Sequence, residues 1–340
     1  MLELNVTAIS ASAICLTLLA VADSVCGADD PPPLPTRPQI ERDKLPGRQV
    51  RVAAIPIGCG GEHDKKLKLA LSHLATAGSQ GVDIACLPEE FCGTAPKDAE
   101  PLNGPTVEAV SALAKKHKMW VVCPIREKGE NAEYNTSVLI DRQGKTAGYY
   151  RKVFVFWGEN ANVSTDGVKV FDTDFGRISI LCCFDLNYQE LWLDAEQKGA
   201  EIVLWPSAYG GGAPLNGNAM IHGYYIVPVG RGNIIDCTGA TLNSVEVPRA
   251  QQYIATLDLD RTFVHKDFTG EKIKKLLAEH KDEVELERDC EMEGWYLLRS
   301  VKPGVRVRDL CKQYEIELLR DYRHRSRQQI NEARANGKKI

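Results

Sequence analysis

Hydrophobic and polar positions along residues 50–232 switch repeatedly between an apolar-run pattern and a helical spacing. VRVAAIPI (50–57) is a short apolar run and predicts a strand. HDKKLKLALSHLATAGSQG (63–81) spaces its apolar residues as one helical face and stops at a glycine. DIACLPE (83–89) predicts a buried strand, TVEAVSALAKKHK (106–118) a second helix, and MWVVCPI (119–125) a further strand. YNTSVLIDRQGKTAGYYRK (134–152) reads as two strands around an Arg-Gln-Gly-Lys turn. RISILCCFD (177–185), EIVLWPS (201–207) and YYIVPVGRG (224–232) predict strands, with a helix over LWLDAEQKGA (191–200).

Alternating strands and helices call for an α/β architecture with buried sheets. Two stretches are richer in strands than a simple crossover series, which calls for a mixed sheet or two stacked sheets. The chain changes character after about residue 262. KDFTGEKIKKLLAEHKDEVELERDCE is charged and predicts helix; WYLLRSV (295–301) predicts a short strand; residues 306–340 predict a long basic helix. Such a helix is read as solvated or packed on a subunit, because neither aromatic interleaving nor a basic overall charge accompanies it.

Charge narrows the partners. The 340 residues hold 42 Lys and Arg against 46 Asp and Glu, so neither nucleic acid nor an anionic membrane is expected as a main partner. The body holds no apolar run long enough to span a bilayer. VTAISASAICLTLLAVA (6–22), followed by Cys26-Gly27-Ala28, reads as a secretory signal peptide over 1–28, and 29–48 as a Pro-rich linker. Glu3, with no Lys or Arg near it, keeps an uncleaved anchor or a misplaced start codon open. The expectation is export to the periplasm or medium if the leader is real, and a cytoplasmic protein otherwise. Of 11 cysteines, nine lie beyond the leader, an odd number without regular spacing or a CxxC pair. Neither a disulfide framework nor a zinc site is expected, and no cofactor or metal is called for.

Three reactive side chains stand where apolar runs stop: Glu89 in CLPEEF, Lys152 in YYRKVFVFWGE, and Cys183 in LCCFD. Singly, each has a plain structural reading: a surface acid after proline, a solvated hairpin lysine, a small core residue. Together they form a workable hydrolase. The carboxylate takes the thiol proton, the thiolate attacks carbon, and the ammonium stabilises the oxyanion.

LPE at 87–89, YRK at 150–152 with Glu159, and CFD at 183–185 with Glu190 resemble, in order, the three signature segments of the carbon–nitrogen hydrolase (nitrilase) superfamily. EYNTSVLID, VFDTDFGRISIL and WPSAY support the resemblance, which runs from about Val50 to Asp260. It implies an αββα sandwich over 49–262, with two mixed sheets between helical layers, and a homodimer or higher homo-oligomer paired through a helical face. Residues 263–340 would then be an extension packing on that domain or on a partner subunit. The resemblance casts Glu89 as general base, Lys152 as oxyanion-stabilising lysine and Cys183 as nucleophile. Glu159 would orient the lysine and substrate, the Phe184 N–H would be a second oxyanion donor, and Asp185 would shape the turn. Trp157, Ser207, Tyr209 and His222 are candidates for the substrate pocket. The implied reaction is hydrolysis of a small amide or N-carbamoyl compound, or less readily a nitrile, through a thioester.

Strand alternation would place Cys182 and Cys183 on opposite faces, leaving Cys182 as core. Glu90 is expected to point away from the site. NAMIHGYYIVPV (218–229) departs from the family's Arg-Ala-x-Glu-Asn segment, with His222 and Gly223 about where Glu-Asn would fall. A Cys183–His222 hydrolase, an acyltransferase and a catalytically silent binding protein are therefore carried as alternatives.

Overall fold

A computed structural model describes residues 36–230, 233–242, 245–246 and 253–340. The leader and residues 29–35 of the Pro-rich segment lie outside the described residues, as do the last two positions of the strand read over 224–232. Among the described residues, fourteen strands and seven α-helices follow in chain order. They are β1 (Gln49–Ala54), α1 (His63–Ser79), β2 (Ile84–Cys86), α2 (Pro105–His117), β3 (Trp120–Lys128), β4 (Glu133–Ile140) and β5 (Thr146–Arg151). Then come β6 (Val170–Asp172), β7 (Arg177–Ile180), α3 (Gln189–Gln197), β8 (Ile202–Pro206), α4 (Ala213–His222), β9 (Tyr225–Val229), β10 (Val245–Glu246) and β11 (Tyr253–Asp258). The chain closes with β12 (Thr262–His265), α5 (Gly270–Glu279), β13 (Val284–Cys290), β14 (Trp295–Ser300), α6 (Val307–Gln313) and α7 (Leu319–Ala335).

The first sheet runs β10-β11-β1-β2-β3-β4-β5 and the second β6-β7-β8-β9. Alternation along β1 shows how the layers form. Val50, Val52 and Ala54 join a core shared with Ile178, Ile180 and Val203 of the second sheet. Ala53 and Ile55 face the opposite way, into a core with Leu74 of α1 and Val110 of α2. Trp192 and Ala195 of α3 and Leu215 and Ala219 of α4 cover the second sheet. The fold is an αββα sandwich of two mixed sheets between helical layers.

Strand direction positions the site. β1, β2 and β3 are parallel, β4 returns antiparallel, and β5 turns back again. The ends of β2, β3 and β5 and the start of β4 therefore share one edge of the sheet. In the second sheet β7, β8 and β9 are parallel, so β7 and β8 also end together. Parallel strands gather reactive groups at their carboxyl ends.

Beyond β11 two expectations change. The stretch read as one charged helix is α5 followed by β13, which pairs antiparallel with β14. Val284 and Cys290 are buried ends of a strand that its charged middle disguised. The long terminal helix is two, α6 and α7, separated at Tyr314–Leu318, where Ile316 turns into a small core with Ile273 and Leu298. Among the described residues no helix is long and apolar enough to cross a membrane.

Candidate active site

Glu89, Lys152 and Cys183 meet where the two sheets' strand ends face each other. The Glu89 carboxylate is buried and fully engaged. Its Oε1 accepts from Lys152 Nζ at 2.8 Å, from Asn135 Nδ2 at 2.8 Å and from Cys182 Sγ at 3.3 Å. Its Oε2 accepts from the Ala208 N–H at 2.9 Å, a bond that reaches across from the end of β8. The Cys183 thiol is hydrogen-bonded to the same carboxylate.

Lys152 is buried, not a solvated hairpin residue, and its ammonium bridges Glu89 and Glu159. Burial alone would favour losing its proton. The carboxylates of Glu89 and Glu159 oppose that and hold the ammonium above its ordinary pKa. Glu89 shows the mirror balance. Burial would raise it, but the Lys152 charge and the hydrogen bonds from Lys152 and both thiols keep it below the ordinary glutamate value. Burial, reinforced by the Glu89 charge, pushes the Cys183 thiol up to about 12. The resting cluster is therefore carboxylate, ammonium and neutral thiol.

The two cysteines are not arranged as strand alternation would have them. β7 stops at Ile180, and Cys183 begins a 3-10 turn with φ of 45°, the left-handed region that non-glycine residues seldom enter. That kink lets both thiols reach Glu89. Cys182 is core, 1% exposed, but it also touches the carboxylate. A left-handed cysteine costs roughly 1–2 kcal/mol, and Asp185 supplies the restraint. Its carboxylate accepts from Cys182 N–H at 2.8 Å, Phe154 N–H at 2.9 Å and Tyr150 Oη–H at 2.7 Å.

Glu90 does point away, but it is a buried acid and not a surface one. It also has a left-handed backbone, φ of 41°, and pairs with buried Arg126 at 2.9 Å. Arg126 in turn donates to the backbone carbonyls of Thr94 at 2.7 Å and Glu159 at 2.9 Å, fixing the loop that carries Glu159.

The expected pocket residues divide. Tyr209 stands in the electrostatic field of the cluster. Burial and then the charges of Cys183 and Glu89 push its hydroxyl up to about 12, with Lys152 opposing. Ser207 is buried and its Oγ accepts from the Tyr209 N–H at 3.0 Å, so it shapes the loop. The Phe184 ring packs edge-on against Phe156 and Tyr188 beside the kink. Trp157 is 88% exposed and does not join the cluster. Nor does His222, which ends α4 and gives its Nδ1 to Glu196 of α3 while stacking on Tyr224. Asn135, Arg126, Tyr150 and the Ala208 N–H were not given roles from the sequence, although Asn135, Tyr150 and Ala208 sit inside the EYNTSVLID, YRK and WPSAY segments.

The family model for carbon-nitrogen hydrolases matches residues 50–223, just over half of the chain. The chain belongs to the carbon-nitrogen hydrolase family. A β-ureidopropionase of Arabidopsis thaliana is 35% identical over 150 residues, covering 39% of this chain and 37% of that protein. An N-carbamoylputrescine amidase of Oryza sativa subsp. japonica is 26% identical over 289 residues, 76% of this chain and 94% of that one. The chain spans about half the length of other curated relatives it matches. The crystal structure of a carbon-nitrogen hydrolase from Helicobacter pylori G27 superposes with a TM-score of 0.56 at 18% identity, over 69% of this chain and 95% of that chain.

Proposed function

We propose that the chain is a thiol hydrolase that cleaves a non-peptide carbon–nitrogen bond of a small amide or N-carbamoyl compound. The observation that carries the reading is the buried Glu89 carboxylate, which accepts from the Lys152 ammonium at 2.8 Å and acts with its charge on the buried Cys183 thiol. Cys183 attacks the carbonyl carbon as Glu89 takes its proton. A thiol near 12 cannot supply much free thiolate at neutral pH, so proton transfer accompanies attack. Lys152 and the Phe184 N–H stabilise the oxyanion, and Glu89 returns the proton to the departing ammonia or amine. Water, deprotonated by Glu89, then hydrolyses the thioester and restores the thiol.

Glu159 favours an amide or carbamoyl substrate over a nitrile. Its Oε2 is buried without a hydrogen-bond partner in the described structure, an acceptor that a substrate N–H would satisfy and a nitrile would not. The names of the two relatives support the same substrate class. The test is turnover of a panel of amides, N-carbamoyl compounds and nitriles by the purified chain, with release of ammonia measured. Turnover of N–H-bearing substrates, abolished by Cys183→Ala, supports the reading. No turnover together with no acylation of Cys183 by a substrate-like electrophile overturns it.

A further inference from the structure

Residues of α3, α4 and α7 line a groove of about 1090 Å³, together with Arg177 of β7 and Phe263 of β12. Glu89, Lys152 and Cys183 do not line it. Its charges are unbalanced. Glu201 is already shared by Arg48 and Arg308, and Glu196 is held by His222. The remaining lining acid is Asp321, exposed in the first turn of α7.

Against these, α7 presents Arg320, Arg323 and Arg327 at the spacing of one helical face. None has a carboxylate. Arg320 donates to the Ala200 carbonyl at 2.9 Å. Arg323 donates to the Ile221 carbonyl and lies over the Trp295 ring at 4.6 Å. Arg327 has neither a hydrogen bond nor an ion pair among the described residues. Burial, and for Arg320 the neighbouring Arg308, push the Arg320 and Arg323 guanidinium groups down, and the charges of Glu196 on both and of Glu201 on Arg320 offset this only in part.

We propose that this groove is a binding site for a small molecule carrying two or more phosphate groups, held by Arg320, Arg323 and Arg327. Guanidinium forks match phosphate oxygens in pairs, and three on one face suit adjoining phosphates. Tyr322 and Phe263 also line the groove and offer apolar surface to the rest of such a molecule. Charge selects a compact anion. The chain's net charge of −4 opposes a long polyanion, whereas the local arginine excess attracts a short one.

The test is calorimetric titration of the full chain with inorganic tripolyphosphate at 150 mM salt. Saturable one-site binding is expected, weakened about tenfold by Arg327→Gln and again by Arg323→Gln. Arg327→Gln breaks no contact, so misfolding does not cloud the result. Arg325→Gln is the control: Arg325 is on the same helix but pairs with Glu317 outside the groove, and binding should not change. Equal weakening by Arg325→Gln, or no saturable binding, overturns the proposal. So does tighter binding of a single-stranded oligonucleotide than of tripolyphosphate. A shift in sedimentation with Arg327→Gln and no anion effect would assign the groove to contact between copies instead.

Discussion

The side-chain amide of Asn135 donates to Glu89 Oε1 at 2.8 Å, while its own backbone carbonyl accepts the Lys152 N–H at 2.9 Å. One residue at the start of β4 thus ties the proposed base to the strand end that carries the ammonium. Hydrogen bonds to a carboxylate favour its charged form. Asn135→Ala should therefore lower kcat about tenfold to a hundredfold, with a smaller effect on KM. It should also move the acid limb of the pH–rate profile. Wild-type activity needs ionised Glu89 and falls only below the ordinary glutamate range, because its folded pKa is depressed. Losing a donor raises that pKa, so the limb shifts to higher pH. Asn135→Ala with an unshifted limb would show that the amide only fills space.

The adjacent thiols should separate by chemistry. Cys183→Ala is expected to remove turnover by about 10⁴-fold or more. Cys182→Ala deletes one weak donor to Glu89 and should leave kcat within about tenfold. Iodoacetamide labelling followed by peptide mass spectrometry gives a second readout. With the thiol near 12, labelling of Cys183 should be slow at pH 7 and accelerate as pH rises toward that value. Preferential labelling of Cys182, with Cys183→Ala still active, would exchange their roles.

His222 distinguishes the proposed hydrolase from a Cys–His one. His222→Gln should leave Cys183 labelling and its pH dependence unchanged, since the ring serves Glu196 and Tyr224. It should lower stability by about 1–3 kcal/mol in chemical denaturation, through a buried Glu196 left short of a donor. Loss of thiol reactivity without loss of stability is the outcome that would restore the Cys–His reading.

Much of this site was legible because parallel strands end where their apolar runs end. Glu89, Lys152 and Cys183 each follow such a run, and the sheet order then brings those ends together. The geometry of Cys182 and Cys183 was not legible. A left-handed cysteine is disfavoured locally and exists only because Asp185, Tyr150 and Phe154 restrain it from elsewhere. His222 shows the same limit, since its partner Glu196 belongs to another helix. Asn135 lay in a segment recognised for its pattern, but its bond to Glu89 depends on β4 running antiparallel. VELERDC reads as helix by charge and becomes a strand by pairing with β14.

Gly230 offers a test of the Ala208 bridge that touches no reactive group. It lies just beyond β9, against the loop after β8. A Cβ there would sit 1.9 Å from the Tyr209 carbonyl oxygen and 3.5 Å from that of Ser207. Both contacts are backbone, so Gly230→Ala must displace the 207–209 segment instead of turning a side chain aside. The Ala208 N–H would then leave Glu89 Oε2, and the Tyr209 ring would move with it. A misplacement of about 1 Å at a catalytic group can cost about 10²-fold, so kcat/KM should fall by that order. Circular dichroism should remain that of the folded chain. Gly270→Ala, with open space around its position and no left-handed backbone, is the control and should keep full activity. If Gly230→Ala is as active as Gly270→Ala, the Ala208 bond does not position Glu89.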